Sequence, residues 1–321
     1  MRRACDHLVD RFLLTEVEPR VRAALRLGAY QLAMLDTPPH AAVGANVGAL
    51  GGRAKGLVNA VLRKVAGAPV EYPDDASRLS YPDWIVDRLV ADLGPDAARA
   101  ALEAMNRPAV VNVRDDGYIQ DPASELVVAA VDAQPGQLVL DLCAAPGGKA
   151  TALAATGASV VAADARPGRV RLMAGNVARL GQEMPLLVAD AARPAFRSGV
   201  AAHVLIDAPC SGLGSLRRRP DARWRIDAEA PERLQGLQVE LVVAGLGLLQ
   251  PGGVLTYSVC TMTDAESIGV LDAVLAARPG IAGEVEVLDP PGPPWTVRGP
   301  VAELAPDTTD GMRLFRLRRS A

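Results

Sequence analysis

The sequence predicts an α/β fold, a doubly wound and mostly parallel sheet preceded by an all-α domain. Three observations carry this. From about residue 120, short apolar runs alternate with helix-length stretches, the pattern of a parallel sheet covered on both faces. Residues 1–67 show helical periodicity instead. Asp141, Asp164 and Asp190 stand at the ends of three successive apolar runs, the edge at which open parallel sheets bind ligands.

With 321 residues, half of them apolar and 22% charged, the chain is folded and long enough for about two domains. Lys and Arg number 34 against 37 Asp and Glu, a net charge of −3. That balance argues against a uniformly basic nucleic-acid binder and leaves room for local basic patches. Cys5, Cys143, Cys210 and Cys260 form no C-x-x-C pair, so neither a disulfide framework nor a zinc site is expected. Asp6, Asp10 and Arg11 interrupt any secretory hydrophobic region. Leu241–Thr263 is uncharged for 23 residues, but Gln250-Pro251-Gly252-Gly253 breaks it into helix, turn and strand. The expectation is a cytoplasmic protein with reduced thiols and no membrane partner.

In the first 67 residues, Val21, Leu25, Gly28, Leu32 and Leu35 share one helical face, with Arg20, Arg22 and Arg26 off it. Pro38-Pro39 ends that helix, and another follows with Leu57, Val58, Val61, Leu62 and Val65 as its stripe. Through residue 70 there are ten basic and five acidic residues, a net of +5 that leaves −8 for the remainder of a −3 chain. Residues 68–80, polar with two prolines and an acidic pair, read as a linker. Residues 81–116 read as a connecting subdomain, with helices over Trp84–Asp92 and Asp96–Met105. Residues 117–321 form the sheet domain, with strands over Leu138–Leu142, Val160–Ala163, Leu186–Ala189, Val204–Ile206 and Val254–Tyr257. Asp289–Pro300 reads as a proline-rich loop.

The strand LVLDLC runs directly into AAPGGKA and a helix. Small residues at such a turn let a ligand approach the backbone, and the helix N-terminus offers free N–H groups. Asp164 is placed to accept hydrogen bonds from both hydroxyls of a ribose. Each of these aspartates could equally cap the following helix. The loop lacks the G-x-G-x-x-G fingerprint of dinucleotide sites, having only Gly147-Gly148 after a proline, so a nucleoside cofactor without pyrophosphate, such as S-adenosylmethionine, suits it better. Asp207-Ala208-Pro209-Cys210-Ser211-Gly212 and Tyr257-Ser258-Val259-Cys260-Thr261 follow the next two strands. An isolated cysteine is usually a small buried hydrophobe. Two in polar turns at adjacent strand ends point instead to chemistry at the ligand-binding edge.

DLCAAPGGKA, DAPCSG with RRRPDARWR behind it, and YSVCT resemble the motifs of the RNA cytosine-5 methyltransferases of the Sun/RsmB type. The likeness extends to GYIQDPAS (Gly117–Ser124) and to the stretch from Asp164 through Arg169 and Asn176 to Gly181. Residues 19–66 resemble the NusB-like helical RNA-binding domain of bacterial members. The resemblance implies a class I, Rossmann-like methyltransferase fold and a monomer acting on RNA, most naturally small-subunit ribosomal RNA. It implies that Cys260 adds to cytosine carbon 6, that Cys210 assists removal of the carbon-5 proton, and that Asp207 bonds the ring's N3/amino edge. It places S-adenosylmethionine against Cys143, Ala144, Ala145, Pro146, Gly147, Gly148 and Lys149, with Asp164, Asp190 and Asp207; Cys143 is expected to pack the loop rather than act as a third nucleophile. The chain departs from the family pattern in a NusB-like segment that looks shortened, in having only Asp115 and Asp116 where relatives carry a longer insert, and in Val259 and Ala150 where Thr is usual.

Arg217, Arg218, Arg219, Arg223 and Arg225 follow the Cys210 motif. A solvated charged face would account for them, but their position favours RNA phosphate contacts beside the target base. The alternative reading of the whole chain is a catalytically impaired RNA-binding or ribosome-assembly protein that keeps the fold. Methylation of a small molecule or protein is a weaker option, since the Asn/Asp-Pro-Pro-Tyr amine motif is absent.

Overall fold

A computed structural model describes residues 1–277 and 284–320, in two compact units, Met1–Asp87 and Arg88–Ala321. The first unit contains α1 (Arg2–Asp10), α2 (Pro19–Met34), α3 (Pro39–Gly48), α4 (Ala54–Gly67) and α5 (Asp75–Leu79). Prolines at the first position of α2 and α3 suit helix starts, where an N–H has no partner to lose. Val21, Leu25 and Gly28 are buried as expected, whereas Leu35 is exposed. Gly28 marks the close approach of α2 to α4: a Cβ there would lie 2.4 Å from Leu62 Cδ1. Arg22 and Arg26 are not free cations, since Arg26 Nε lies 2.7 Å from Asp6 Oδ1 and Arg22 pairs with Asp6 and Asp10.

Two sequence expectations change here. The stretch after Pro38-Pro39 holds an additional helix, α3, whose Ala- and Gly-rich sequence offers little apolar contrast. The stretch read as a linker contains α5, capped by Asp74 through the Ser77 N–H, with Ala76, Leu79 and Ser80 buried, so its second half is packed.

α6 (Asp83–Leu93) crosses the division between the units, and α7 (Pro95–Ala104) and α8 (Pro122–Val131) follow. The sheet then forms from β1 (Leu138–Asp141), β2 (Ser159–Asp164), β3 (Leu186–Val188), β4 (Ala201–Asp207), β5 (Leu249–Val259), β6 (Val285–Val287), β7 (Thr296–Arg298), β8 (Val301–Leu304) and β9 (Met312–Arg319). Its order is β3-β2-β1-β4-β5-β9-β8-β7, with β6 also on β9. β1 to β5 run parallel, with the order of the strands reversing at β1, while β6 to β9 pair antiparallel. The crossover helices are α9 (Gly148–Ala155), α10 (Pro167–Arg179) and α11 (Ala230–Leu246), and α12 (Ile268–Ala277) follows β5.

Successive strand residues enter opposite cores, Val204 and Ile206 one and Leu205 the other, as a doubly covered sheet requires. The expected doubly wound, mostly parallel sheet is therefore present. The proline-rich stretch Asp289–Pro300 is not all loop: β7 lies in it and pairs with β8 across Gly299-Pro300, where Gly299 takes φ +61°. Among the described residues no helix is long and apolar enough to cross a membrane.

Candidate active site

Parallel register places the ends of β1, β2, β4 and β5 along one edge. Asp141 is level with Ala162 and Leu205, and Asp207 with Ser258. The chain beyond each of these residues turns over that edge, which is why motifs far apart in sequence meet.

Beyond β1, the backbone of Cys143 to Gly148 is held from several sides. Ala144 N donates to Ala163 O at 2.8 Å, Asn176 Nδ2 donates to Pro146 O at 2.9 Å, and Arg169 grips Ala145 O. Gly147 adopts φ +102°, and a Cβ on it would lie 2.9 Å from Met173 Cγ. Gly148 is equally constrained, since its Cβ would meet Gln120 Nε2 at 2.9 Å and Tyr118 Cε1 at 3.0 Å. No side chain caps the N-terminus of α9. The loop thus presents backbone and open N–H groups, with no room for side chains on its glycines.

Asp164 is buried; its Oδ1 accepts from Arg166 N at 3.0 Å and its Oδ2 lies 3.5 Å from Arg169 Nη1. Asp190 lies just past β3, is exposed, and accepts from Ala192 N at 3.0 Å. Both therefore brace the following turn, and both remain on the ligand edge. Cys143 is half-buried against the sheet core, and burial followed by the nearby acids Asp141, Asp207 and Asp164 raises its thiol well above the ordinary range. That suits packing, not nucleophilic attack.

Lys149 crosses from the start of α9 to the end of β4. Its Nζ lies 2.7 Å from Asp207 Oδ2 and 3.3 Å from Ser124 Oγ, while Ser258 Oγ donates to Asp207 Oδ1 at 2.9 Å. Burial opposes the charge on Lys149, but Asp207 outweighs it and holds the ammonium above its usual range. Ser124 and Ser258 had no role in the sequence reading, although both lie inside the motifs it singled out. Their signal was position: Ser258 is the residue that parallel register sets against Asp207.

The two thiols meet. Cys210 Sγ and Cys260 Sγ are 3.4 Å apart, and Ser215 Oγ is 3.9 Å from Cys260 Sγ. The contact splits their acidities. The hydrogen bond shared with Cys210 pulls Cys260 below the ordinary thiol range, against burial and Asp207 and with help from Lys149 and Ser215. The same bond, followed by burial, pushes Cys210 far up. Cys260 is accordingly the more readily ionised of the two sulfurs and Cys210 the less. Gly214 N donates to Cys260 O at 3.0 Å, and a Cβ on Gly214 would lie 2.1 Å from Gly311 O, a backbone atom. Gly214→Ala should therefore cost about 2–4 kcal/mol, checked by urea unfolding; a loss under about 0.5 kcal/mol would mean that the loops yield easily.

The arginine cluster requires correction. Arg217 is buried, with Nε 3.0 Å from Asp310 Oδ1 and Nη2 3.0 Å from Asp121 Oδ2, and Arg218 joins the same two carboxylates. Arg223 is buried against Asn106, its Nη1 2.9 Å from Oδ1. Burial and internal partners take Arg217 and Arg223 out of reach of phosphate, and Arg218 is largely committed. Arg219 and Arg225 are exposed; Arg225 pairs with Asp221 at 2.7 Å, and Arg219 Nη2 lies 3.5 Å from Ser215 Oγ, beside Cys260. Arg217→Ala would leave two buried carboxylates to Arg218 and nearby backbone N–H groups and should cost about 2–4 kcal/mol, read as a lower midpoint in chemical denaturation with an unchanged slope.

The uncapped glycine turn and the acids beyond each strand fit S-adenosylmethionine, which Cys143 to Lys149 with Asp164, Asp190 and Asp207 could hold. Comparison with known proteins points the same way. Residues 128–312 match the 16S rRNA methyltransferase RsmB/F family, and residues 1–67 match the NusB family. Ribosomal RNA small subunit methyltransferase B of Thermus thermophilus is 36% identical over 352 aligned residues, covering 99% of this chain and 85% of its own. Among solved structures, a methyltransferase homologue from Pyrococcus horikoshii superposes with a TM-score of 0.63 at 24% identity, covering 78% of this chain and all of that one, a likeness of fold. NSun6 from the same organism, solved with the S-adenosylmethionine analogue SFG, gives a TM-score of 0.53 at 26% identity over 64% of this chain and 53% of that one. With its thiol pair, glycine loop and near full-length likeness together, the chain belongs to the RsmB/F family of S-adenosylmethionine-dependent RNA methyltransferases.

Proposed function

We propose that the protein methylates carbon 5 of a cytosine in small-subunit ribosomal RNA through a covalent adduct between Cys260 and carbon 6 of the ring. The observation that carries this is the pair of thiols 3.4 Å apart beside the Lys149–Asp207 pair. Cytosine carbon 5 is a weak nucleophile. Addition of the Cys260 thiolate to carbon 6 turns the ring into an enamine whose carbon 5 can attack an electrophile. S-adenosylmethionine supplies that electrophile, a methyl group on a sulfonium.

The negative charge that Cys260 delivers to the ring spreads toward N3 and the exocyclic groups. Asp207, fixed by Lys149 and Ser258, would accept from the exocyclic amine on that edge, while the Lys149 ammonium offsets the added negative charge. Adduct formation also changes Cys210. Once Cys260 is bonded to carbon it no longer carries the charge that held the Cys210 proton and repelled a second negative charge, so the main cause of Cys210's raised pKa is gone. Cys210 can then lose its proton to solvent and, as a thiolate, take the carbon-5 proton. The C5–H electrons re-form the ring double bond, the C6–S bond breaks, and Cys260 leaves as a thiolate. Arg219, exposed and beside Ser215 near Cys260, is the arginine we assign to an RNA phosphate next to the target base.

Bisulfite sequencing of small-subunit ribosomal RNA from a strain lacking the gene tests the reading. One cytosine should lose its protection and regain it on complementation. An unchanged pattern, with purified protein inactive on that RNA, would reject it in favour of an RNA-binding protein that keeps the fold.

A further inference from the structure

We infer that Glu266 is a positioning residue that ties the Cys210 loop to the Cys260 loop, so that both sulfurs reach one pyrimidine ring. The inference rests on the cytosine reading for its purpose; the tie itself does not.

Glu266 is fully buried, and its carboxylate receives four hydrogen bonds from three segments. Oε1 accepts from Ser211 N at 2.7 Å and from Gln238 Nε2 at 3.2 Å; Oε2 accepts from Ser211 Oγ at 2.5 Å and Thr263 Oγ1 at 2.9 Å. Ser211 directly follows Cys210. On the other loop Thr261 directly follows Cys260, and its hydroxyl lies 3.0 Å from Ser211 Oγ and 3.4 Å from Thr263 Oγ1. Gln238, on α11, also donates to Pro209 O at 2.9 Å, directly before Cys210. The strand beneath is tied in as well, because Tyr257 OH donates to Glu266 O at 2.8 Å.

A buried carboxylate is an expensive way to join two loops, since apolar packing of similar volume is often as stable. What the charged group adds is direction. Each oxygen fixes donors at defined angles, and charge-assisted bonds resist displacement more than neutral ones. The paired register of the two strands ends at Asp207 and Ser258; beyond it the loops share the backbone bonds Ala208 N to Ser258 O at 2.9 Å and Gly214 N to Cys260 O at 3.0 Å, and the Glu266 tie adds side-chain bonds to the residue directly after Cys210. The charge also acts on the thiols. Cys210 faces Cys260, Glu266 and Asp207, while Cys260 faces Cys210, Asp207, Lys149 and Ser215; Glu266 opposes a thiolate at Cys210.

Three variants separate shape from charge. Glu266→Ala removes the tie. Glu266→Gln keeps its shape, with an amide that can donate to hydroxyls free to rotate. Glu266→Asp is too short to reach both loops. On a small-subunit ribosomal RNA transcript, Glu266→Ala and Glu266→Asp should lose about 100-fold in kcat with KM within about threefold, and Glu266→Gln should recover to within about tenfold of wild type.

The second readout needs no RNA. In wild type, Cys260 should be alkylated by iodoacetamide at lower pH than an ordinary thiol, and Cys210 only at higher pH. In Glu266→Ala the two profiles should converge, because the sulfurs are no longer held in contact. Full activity, or unshifted profiles in a folded Glu266→Ala protein, would overturn the inference and leave Glu266 a stabilising residue only. Should Glu266→Ala fail to fold, Ser211→Ala and Thr263→Val take its place, each expected to lose about five- to tenfold in kcat with the same convergence; no change in either would also overturn it. Wild-type protein inactive on cytosine but showing converging profiles in Glu266→Ala would reject the function while the tie stands.

Discussion

Cys210→Ala should accumulate a covalent protein–RNA adduct, and Cys260→Ala should form none. The asymmetry follows from the thiol pair. In the proposed mechanism Cys260, pulled below the ordinary range by its contact with Cys210 and by the Lys149 ammonium, adds to carbon 6. Cys210, 3.4 Å away, then takes the carbon-5 proton of the same ring. Without Cys210 the addition still proceeds, because Ser215 and Lys149 remain to support the thiolate, but elimination stalls with the C6–S bond intact. Without Cys260 there is no activation of the ring, and methyl transfer should fall by at least about 10⁴-fold. A denaturing gel with end-labelled RNA reads the adduct as a shifted band, and incorporation of labelled methyl groups reads turnover. The mechanism fails if Cys260→Ala transfers methyl groups at the wild-type rate, or if Cys210→Ala turns over freely with no shifted band.

Much of this site was legible before any coordinates. The alternation of apolar runs located the five parallel strands, and parallel strands bring their C-terminal ends together, so motifs at Asp141, Asp207 and Ser258 had to converge. The cysteines followed because each lies in a turn just past its strand. The Glu266 tie was not legible, since it joins Ser211, Gln238 and Thr263, which share neither a strand nor a helical face and meet only when the loops fold back. The arginine cluster failed for a related reason. A run of cations reads as a solvated or phosphate-binding face, and only the folded chain shows Asp121 and Asp310 closing on Arg217. Short elements also escaped: α3 is too rich in Ala and Gly to show an apolar stripe, and β7 lies among prolines that suggest a loop.

Replacing Asp141 with asparagine should stabilise the ligand-free protein above neutral pH, by on the order of 4 kcal/mol at pH 8. Asp141 is fully buried at the end of β1, and its carboxylate has no well-formed hydrogen bond, only a weak approach from the Cys143 N–H that favours its charge slightly. Burial, and then repulsion from Asp207, push it up to about 7, with Lys149 acting in the opposite direction. The sign follows from linkage. In the unfolded chain this carboxyl ionises near 3.8, whereas in the folded chain it holds its proton to about 7. Its contribution to stability is therefore fully present below the unfolded value and is lost as pH rises through the folded one. Asparagine, which does not titrate, removes that loss and keeps the side-chain volume. The wild-type and Asp141→Asn proteins should be similar in urea below about pH 4, separate progressively from pH 4 to pH 7 and reach their full difference by pH 8, the variant having the higher midpoint. Parallel curves across that range would show that Asp141 ionises freely in the folded protein. The expected divergence identifies the end of β1 as a place where the protein gives up stability to keep a carboxyl group beside the cofactor loop, a cost that selection for folding alone would have removed.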